Sequence, residues 1–186
     1  MKKINVILWS IVVFCGILTA IKQFDGNFVV LLKNTSIVFT VSLPYIYKKL
    51  SGKENALFTF VWIIFIFMAH YIGVILYGYN HLIFYDKVTH TLSGVVTAYL
   101  AIMILKYYNI KNIMFNILFI ICFSWMCAGM WEVFEYVCNI FVGGDAQRVA
   151  LTGVNDTMLD MIVAFIGSLV TSIIYYFCKK NKLYVK

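Results

Sequence analysis

The sequence has one proline and only eight acidic residues among 186, and just 12% of it is charged. Soluble domains carry about 25% charged residues, so a water-soluble globule is the first class excluded. The near absence of proline and of long polar tracts also excludes a disordered chain or a sizeable soluble domain. No Walker loop, G-x-S-x-G elbow, dinucleotide fingerprint or H-E-x-x-H helix is found, and the loops are too short for a nucleotide-binding domain. The five cysteines, Cys15, Cys122, Cys127, Cys138 and Cys178, lie in apolar runs with no C-x-x-C and no histidine at zinc-finger spacing. They read as small buried hydrophobes.

What is present is apolar. Hydrophobic residues make up 63% of the chain and aromatics 18%. A membrane helix needs about 20 mostly apolar residues. Six stretches qualify, at about 4–21, 27–46, 56–78, 88–105, 112–141 and 157–178. The second is the weakest, because Lys33 interrupts it and Pro44 should kink its end. The first has a short basic start but a poor cleavage site, so an uncleaved span is expected. The fold expected is an all-α polytopic membrane helix bundle of about six transmembrane helices. Residues 1–186 form a single integral-membrane domain, with no linker and no obvious internal repeat.

The net charge is +7, which in a soluble protein would suggest nucleic acid. Here it reports sidedness. With the N-terminus inside, eleven lysines fall in inner segments, while Lys22, Lys87 and Arg148 fall outside. The positive-inside rule therefore puts both termini in the cytoplasm. The acids show the reverse bias. Only Glu54 is in an inner loop; Asp25, Asp86, Glu132, Glu135, Asp145, Asp156 and Asp160 fall at outer positions. Acids do not set topology, so this bias needs its own cause.

Six polar residues form pairs at helical spacing. Asp86 and His90 stand four apart in "YDKVTHTLSG", Glu132 and Glu135 three apart in "WEVFEY", and Asp156 and Asp160 four apart in "NDTMLDM". Residues so spaced share a helix face. Spans four and six begin outside and span five ends outside, so the pairs lie at one membrane level. An acid at the centre of a membrane helix costs about 2.5–3.5 kcal/mol. Asp86 and Asp156 have a plainer explanation, as carboxylates at helix N-termini. His90 and Asp160 lie a turn deeper. Glu132 and Glu135 are flanked by Trp131, Val133, Phe134 and Tyr136, a poor setting for a solvated acidic face. Span five is also long, about 45 Å at 1.5 Å per residue, so it should tilt, protrude or break near Gly129.

Clustered carboxylates need shared protons, a basic side chain or a bound metal ion. Carboxylates with one imidazole suit a divalent ion such as Mg²⁺, Mn²⁺, Zn²⁺ or Fe²⁺. The candidate ligands are Asp86, His90, Glu132, Glu135, Asp156 and Asp160. Lys87 and Arg148 are the nearest basic residues in sequence for that charge-balancing role, and both are also candidates for binding an anionic substrate. His90, Glu132 and Glu135 are the candidate general bases.

"YDKVTHTLSGVVTAYL", "WEVFEY" and "GVNDTMLDMIVAFIGSLV" together resemble the YjdF-like family of uncharacterised bacterial inner-membrane proteins. Their order is also similar to the VanZ-like family, linked to glycopeptide-antibiotic tolerance, where the middle pair more often reads E-x-x-Q and Glu135 departs from it. The resemblance covers roughly residues 80–170. It implies the same topology and the same residues, with Arg148 matching an arginine before the final acidic pair, but no reaction.

The residues and the resemblance together suggest three functions. The first is a metal-assisted enzyme acting on an outer-leaflet lipid or lipid-linked phosphate or glycan. The second is a non-catalytic binder protecting an envelope lipid or sequestering an antibiotic. The third is a proton or cation transporter, ranked last because the inner halves of the spans look apolar. The expected partner is the lipid bilayer, with no nucleic acid. His70, in span three, reads as a hydrogen-bonded core residue or a further ligand, and His81 as solvated. Gly94 and Gly167 lie on the polar faces and should allow close helix packing.

Overall fold

In a bilayer core no water satisfies backbone N–H and C=O groups, so long apolar runs must bond internally as helices. The computed structural model describes residues 1–24, 26, 28–76, 78–82, 84–142, 147 and 149–184, and these form helices with no strand among them. The long helices are α1 (Lys2–Lys22), α2 (Phe28–Ser51), α3 (Ala56–Ile66, continued as a π-helix over Phe67–Ile75), α5 (Tyr85–Tyr107), α6 (Ile113–Val142) and α8 (Asn155–Tyr184). Two single turns, α4 (Gly78–His81) and α7 (Val149–Thr152), stand in the connections. Among the described residues, five helices are long and apolar enough to cross a membrane: Lys2–Lys22, Ala56–Ile75, Tyr85–Tyr107, Ile113–Phe141 and Asn155–Lys180. With α2 they make six long helices, the number expected. The side chain of Lys33 lies outside the described residues, as do Asp25 and Asp145.

The chain falls into two compact units, Met1–Tyr85 and Asp86–Lys186. In the first, Val12, Ile37, Val41, Ile63, Ile66 and Ile75 form the core between α1, α2 and α3. Helix α2 runs past Pro44 to Ser51 instead of ending near it. Proline has no N–H, which strips the carbonyl four residues back of its partner. That carbonyl belongs to Thr40, and the Trp62 indole donates to it at 2.8 Å. The proline is accommodated because a neighbouring helix supplies the missing donor. Asn5 likewise donates to the Ala56 carbonyl at 2.8 Å, and the Asn55 side chain caps α3 through the Phe58 amide at 3.0 Å. His70 lies in the π-helical stretch, with its Nε2 3.3 Å from the Ser36 hydroxyl. His81 is exposed.

In the second unit, Ala98, Ala101, Ile102, Leu105, Ile120 and Tyr175 form the core of α5, α6 and α8. Small residues bring α5 and α8 together. A Cβ on Gly94 would strike the Ala164 carbonyl oxygen, and one on Gly167 the Thr91 carbonyl oxygen. Both glycines thus serve close packing, as their positions imply. Helix α6 does not break at Gly129; it is continuous for 30 residues. The cysteines are free, and none is fully buried: Cys122 and Cys178 are exposed. On membrane-spanning helices an outward face meets lipid, so an apolar thiol need not be buried within the protein.

Candidate functional site

The start of α5, the end of α6 and the start of α8 meet at one end of the second unit. Helix α5 turns Asp86, Lys87 and His90 toward α8, because these positions span an arc of about 100° at 3.6 residues per turn. Helix α8 answers with Asp156 and Asp160. Asp156, Asp160 and His90 are buried. Helix α6 adds Glu132, 5% exposed, while its neighbours Trp131, Val133, Phe134 and Tyr136 are all more than half exposed. The opposite facing of adjacent residues settles the puzzle of "WEVFEY": the aromatics look outward and Glu132 looks in. Glu135 is half-buried, and its Oε1 accepts from the Trp131 indole at 2.8 Å.

The centre of the cluster is Lys87. Its ammonium donates to Asp156 Oδ1 at 2.6 Å, Asp160 Oδ1 at 2.8 Å and Asp86 Oδ2 at 3.2 Å, and lies 3.4 Å from the Asp156 carbonyl oxygen. Lys87 is one of the two basic residues that the sequence offers as a charge partner for the acids, and in the fold it sits among three carboxylates. The signal was available, since Lys87 stands three residues before His90 on the same face.

His90 Nε2 lies 3.5 Å from Asp86 Oδ1 and 3.8 Å from Asp160 Oδ1. Donor atoms of Asp86, His90 and Asp160 all lie within 4.8 Å of one another, a group able to hold a metal ion. A tetrahedral ion about 2.1 Å from each donor separates its donors by about 3.4 Å, close to the two spacings that His90 makes. The other three expected ligands are engaged differently. Asp156 gives one oxygen to Lys87. Glu132 Oε2 accepts from Gln147 Nε2 at 3.3 Å, and the same nitrogen donates to the Glu132 carbonyl oxygen at 3.1 Å. Glu132 and Glu135 both lie within electrostatic range of His90 and Asp86.

Two oxygens in this cluster make no hydrogen bond within 3.5 Å among the described residues, although the Thr157 side chain interacts with the Glu132 carboxylate. They are Glu132 Oε1 and Asp156 Oδ2, on side chains of residues only 5% and 6% exposed. Buried carboxylate oxygens are normally hydrogen-bonded. Arg148, the other candidate for an anionic substrate, lies outside the described residues. Gln147, buried against Glu132, was not anticipated: a lone glutamine in a glycine-containing loop carries no spacing signal.

The interior beneath the cluster is less apolar than the sequence suggests. Ser124, Ser168, Ser172 and Asn116 are buried. The Thr97 and Ser124 hydroxyls lie 2.6 Å apart, Ser124 donates to the Gly94 carbonyl at 3.0 Å, and Asn116 donates to the Tyr175 hydroxyl at 2.9 Å.

The family model described as "Predicted membrane protein (DUF2238)" matches residues 4–181, nearly the whole chain, so the protein belongs to that family. No curated protein and no solved structure matches the sequence.

Proposed function

We propose that this DUF2238 membrane protein is a multi-pass protein of the bacterial plasma membrane whose acidic pocket opens on the extracytoplasmic side, takes a divalent cation and acts on an outer-leaflet lipid or lipid-linked envelope substrate. The observation carrying this reading is the convergence of five carboxylates and a histidine from three helices on a region with one ammonium among the described residues. Such an excess of buried negative charge calls for a cation. The lysine distribution supports the outward opening and cytoplasmic termini. The family match agrees with the YjdF-like resemblance, while the VanZ-like similarity rests on motif order alone.

In this reading Asp86, His90 and Asp160 hold the ion, and Asp156 completes the charge balance. A divalent ion bound there supplies Lewis-acid polarisation of a phosphoryl or carbonyl oxygen. Glu132 and Glu135, with His90, are the groups able to accept a proton from water or a substrate hydroxyl. Lys87 and Arg148 attract the anionic headgroup. The same pocket without turnover would be a protective binder of an envelope lipid or antibiotic, the role a VanZ-like protein suggests.

Metal analysis of the purified protein, with thin-layer and mass-spectrometric analysis of copurified and added envelope lipids, tests the reading. Bound Zn²⁺, Mn²⁺ or Mg²⁺ lost in Asp160→Asn, together with a lipid altered by the wild type and untouched by Glu132→Gln, supports it. A bound lipid that is never altered favours the protective binder. Absence of any divalent ion, with both variants behaving as wild type, sinks the proposal.

A transporter reading gains one specific observation. Thr97 and the buried Ser124, Ser168, Ser172 and Asn116 continue polar groups from the acidic cluster toward the far end of the second unit. Ser124, Ser168 and Ser172 donate to backbone carbonyls, and Thr97 lies within hydrogen-bond distance of both the Ser93 carbonyl and the Ser124 hydroxyl, as packing hydroxyls do, so this reading stays second. Cation flux in proteoliposomes, abolished by Glu135→Gln, would move it to first.

A further inference from the structure

We propose that Lys87 is a built-in counter-ion that a divalent cation displaces, so that the pocket holds either the ammonium or the metal but not both. This rests on the cation-binding reading above and deepens it. The ammonium has four oxygens around it, at 2.6, 2.8, 3.2 and 3.4 Å. That is the oxygen-rich surrounding a hard cation seeks. Asp160 Oδ1 and Asp86 are shared between the ammonium and the metal-ligand group. An ion bound to Asp160 Oδ1 at about 2.1 Å would stand at most about 5 Å from the ammonium bonded to that same oxygen. Two cations at that distance, in a site largely shut off from water, repel strongly.

Lys87 has somewhere to go. Its side chain is 20% exposed, and a lysine stem is flexible enough to carry its head to water. Asp156 Oδ2 and Glu132 Oε1 are further oxygens within the cluster that a larger cationic charge would satisfy. Displacement also gives Lys87 a use. Its ammonium, released from the three aspartates, becomes available at the mouth of the pocket to an anionic headgroup. The chain would thus trade an internal ion pair for a substrate contact when the metal arrives.

The test uses the full-length protein in nanodiscs with Zn²⁺ and Mn²⁺ titrated separately. In the wild type, acylation of Lys87 by an amine-reactive ester, followed by mass spectrometry, should accelerate several-fold as either ion binds. By reciprocity, Lys87→Met should bind the ion roughly tenfold tighter or more, the coupling expected of two competing occupants. Asp160→Asn should abolish uptake in both backgrounds. Should Lys87→Met misfold without metal, the wild-type labelling experiment stands alone. Ion binding of equal strength in wild type and Lys87→Met, or labelling that ion binding leaves unchanged, overturns the displacement and leaves the cation-binding reading intact. Uptake by neither protein overturns both.

Discussion

The two units differ in the polar groups they bury. The first buries Asn5, Asn34 and Thr59, all neutral; the second buries neutral groups too, Asn116, Ser124 and Gln147 among them, and adds Glu132, Asp156, Asp160 and His90. In the first unit the polar side chains repair or tie the scaffold: the Trp62 indole serves the carbonyl that Pro44 orphans, and Asn5 ties α1 to the start of α3. Its described carboxylate, Glu54, lies between helices and pairs with Lys2 and Lys48, each at 3.0 Å. Neutral hydrogen bonds of this kind hold helices together at modest cost. Buried acids do not improve a scaffold, because their desolvation outweighs what packing alone requires. The difference teaches that the described buried polar groups of the first unit tie its scaffold, whereas the second adds buried carboxylates that packing alone does not call for.

The contrast breaks most severely at Lys87. Lys87→Met removes the one ammonium from among three carboxylates and leaves Asp156 and Asp160 buried without compensation. The expected loss is about 3 kcal/mol, the low end for an orphaned buried ion pair because the lysine is partly exposed. Equilibrium unfolding in mixed micelles measures it. Lys48→Met, which removes a partner of Glu54 in the first unit, should leave the midpoint where it was. Equal losses from both changes would erase the distinction between the units.

Backbone packing gives the next largest effect. Gly94→Ala or Gly167→Ala drives a methyl group into a carbonyl of the facing helix and should cost about 1–3 kcal/mol. In the first unit, the Cβ of Gly16→Ala would meet Cγ2 of Ile37, a fully buried β-branched side chain with little freedom to rotate, so a loss of similar size is expected. Gly129→Ala, with nothing nearer than Met161 Cε at 3.6 Å, should be neutral. Thermal melts of the four variants in one detergent rank them. A smaller effect again is expected at the hydroxyl pair Thr97 and Ser124. A double-mutant cycle with Thr97→Val and Ser124→Ala should return about 0.6 kcal/mol of coupling, the average for hydrogen bonds between membrane helices.

The sequence carried the helices and the three acidic pairs, because period and charge are written locally. The pairs at 86 and 90, 132 and 135, and 156 and 160 each name a helix face, and three faces at one membrane level must meet. The occupant of the meeting point was harder to read. Lys87 was one of two basic candidates for the cluster, and its spacing alone did not say that it would sit among Asp86, Asp156 and Asp160. The continuation of α2 through Pro44 was also unreadable, since it depends on the Trp62 indole reaching across from another helix. Gln147 shows the same limit: its value lies in the buried glutamate it meets, not in its neighbours in the chain.

Glu54 gives the smallest and most conditional effect, and it tests the scaffold side of the contrast. Hydrogen bonds from Lys2 and then Lys48 hold its carboxyl below the usual carboxylate range. A group whose folded value is depressed stabilises the fold above its unfolded value, near 4.3, and loses that contribution as pH falls through the folded value. The difference in melting temperature between wild type and Glu54→Gln should therefore be constant from pH 7 to about pH 5 and shrink below about pH 4. It should also narrow in molar salt, because partly exposed pairs are screened. The same salt should scarcely touch the Lys87 cluster, whose partners Asp156 and Asp160 are buried. If salt weakens Lys87→Met and Glu54→Gln effects alike, the aspartate cage is wetter than its burial implies, and the need for a resident cation weakens with it.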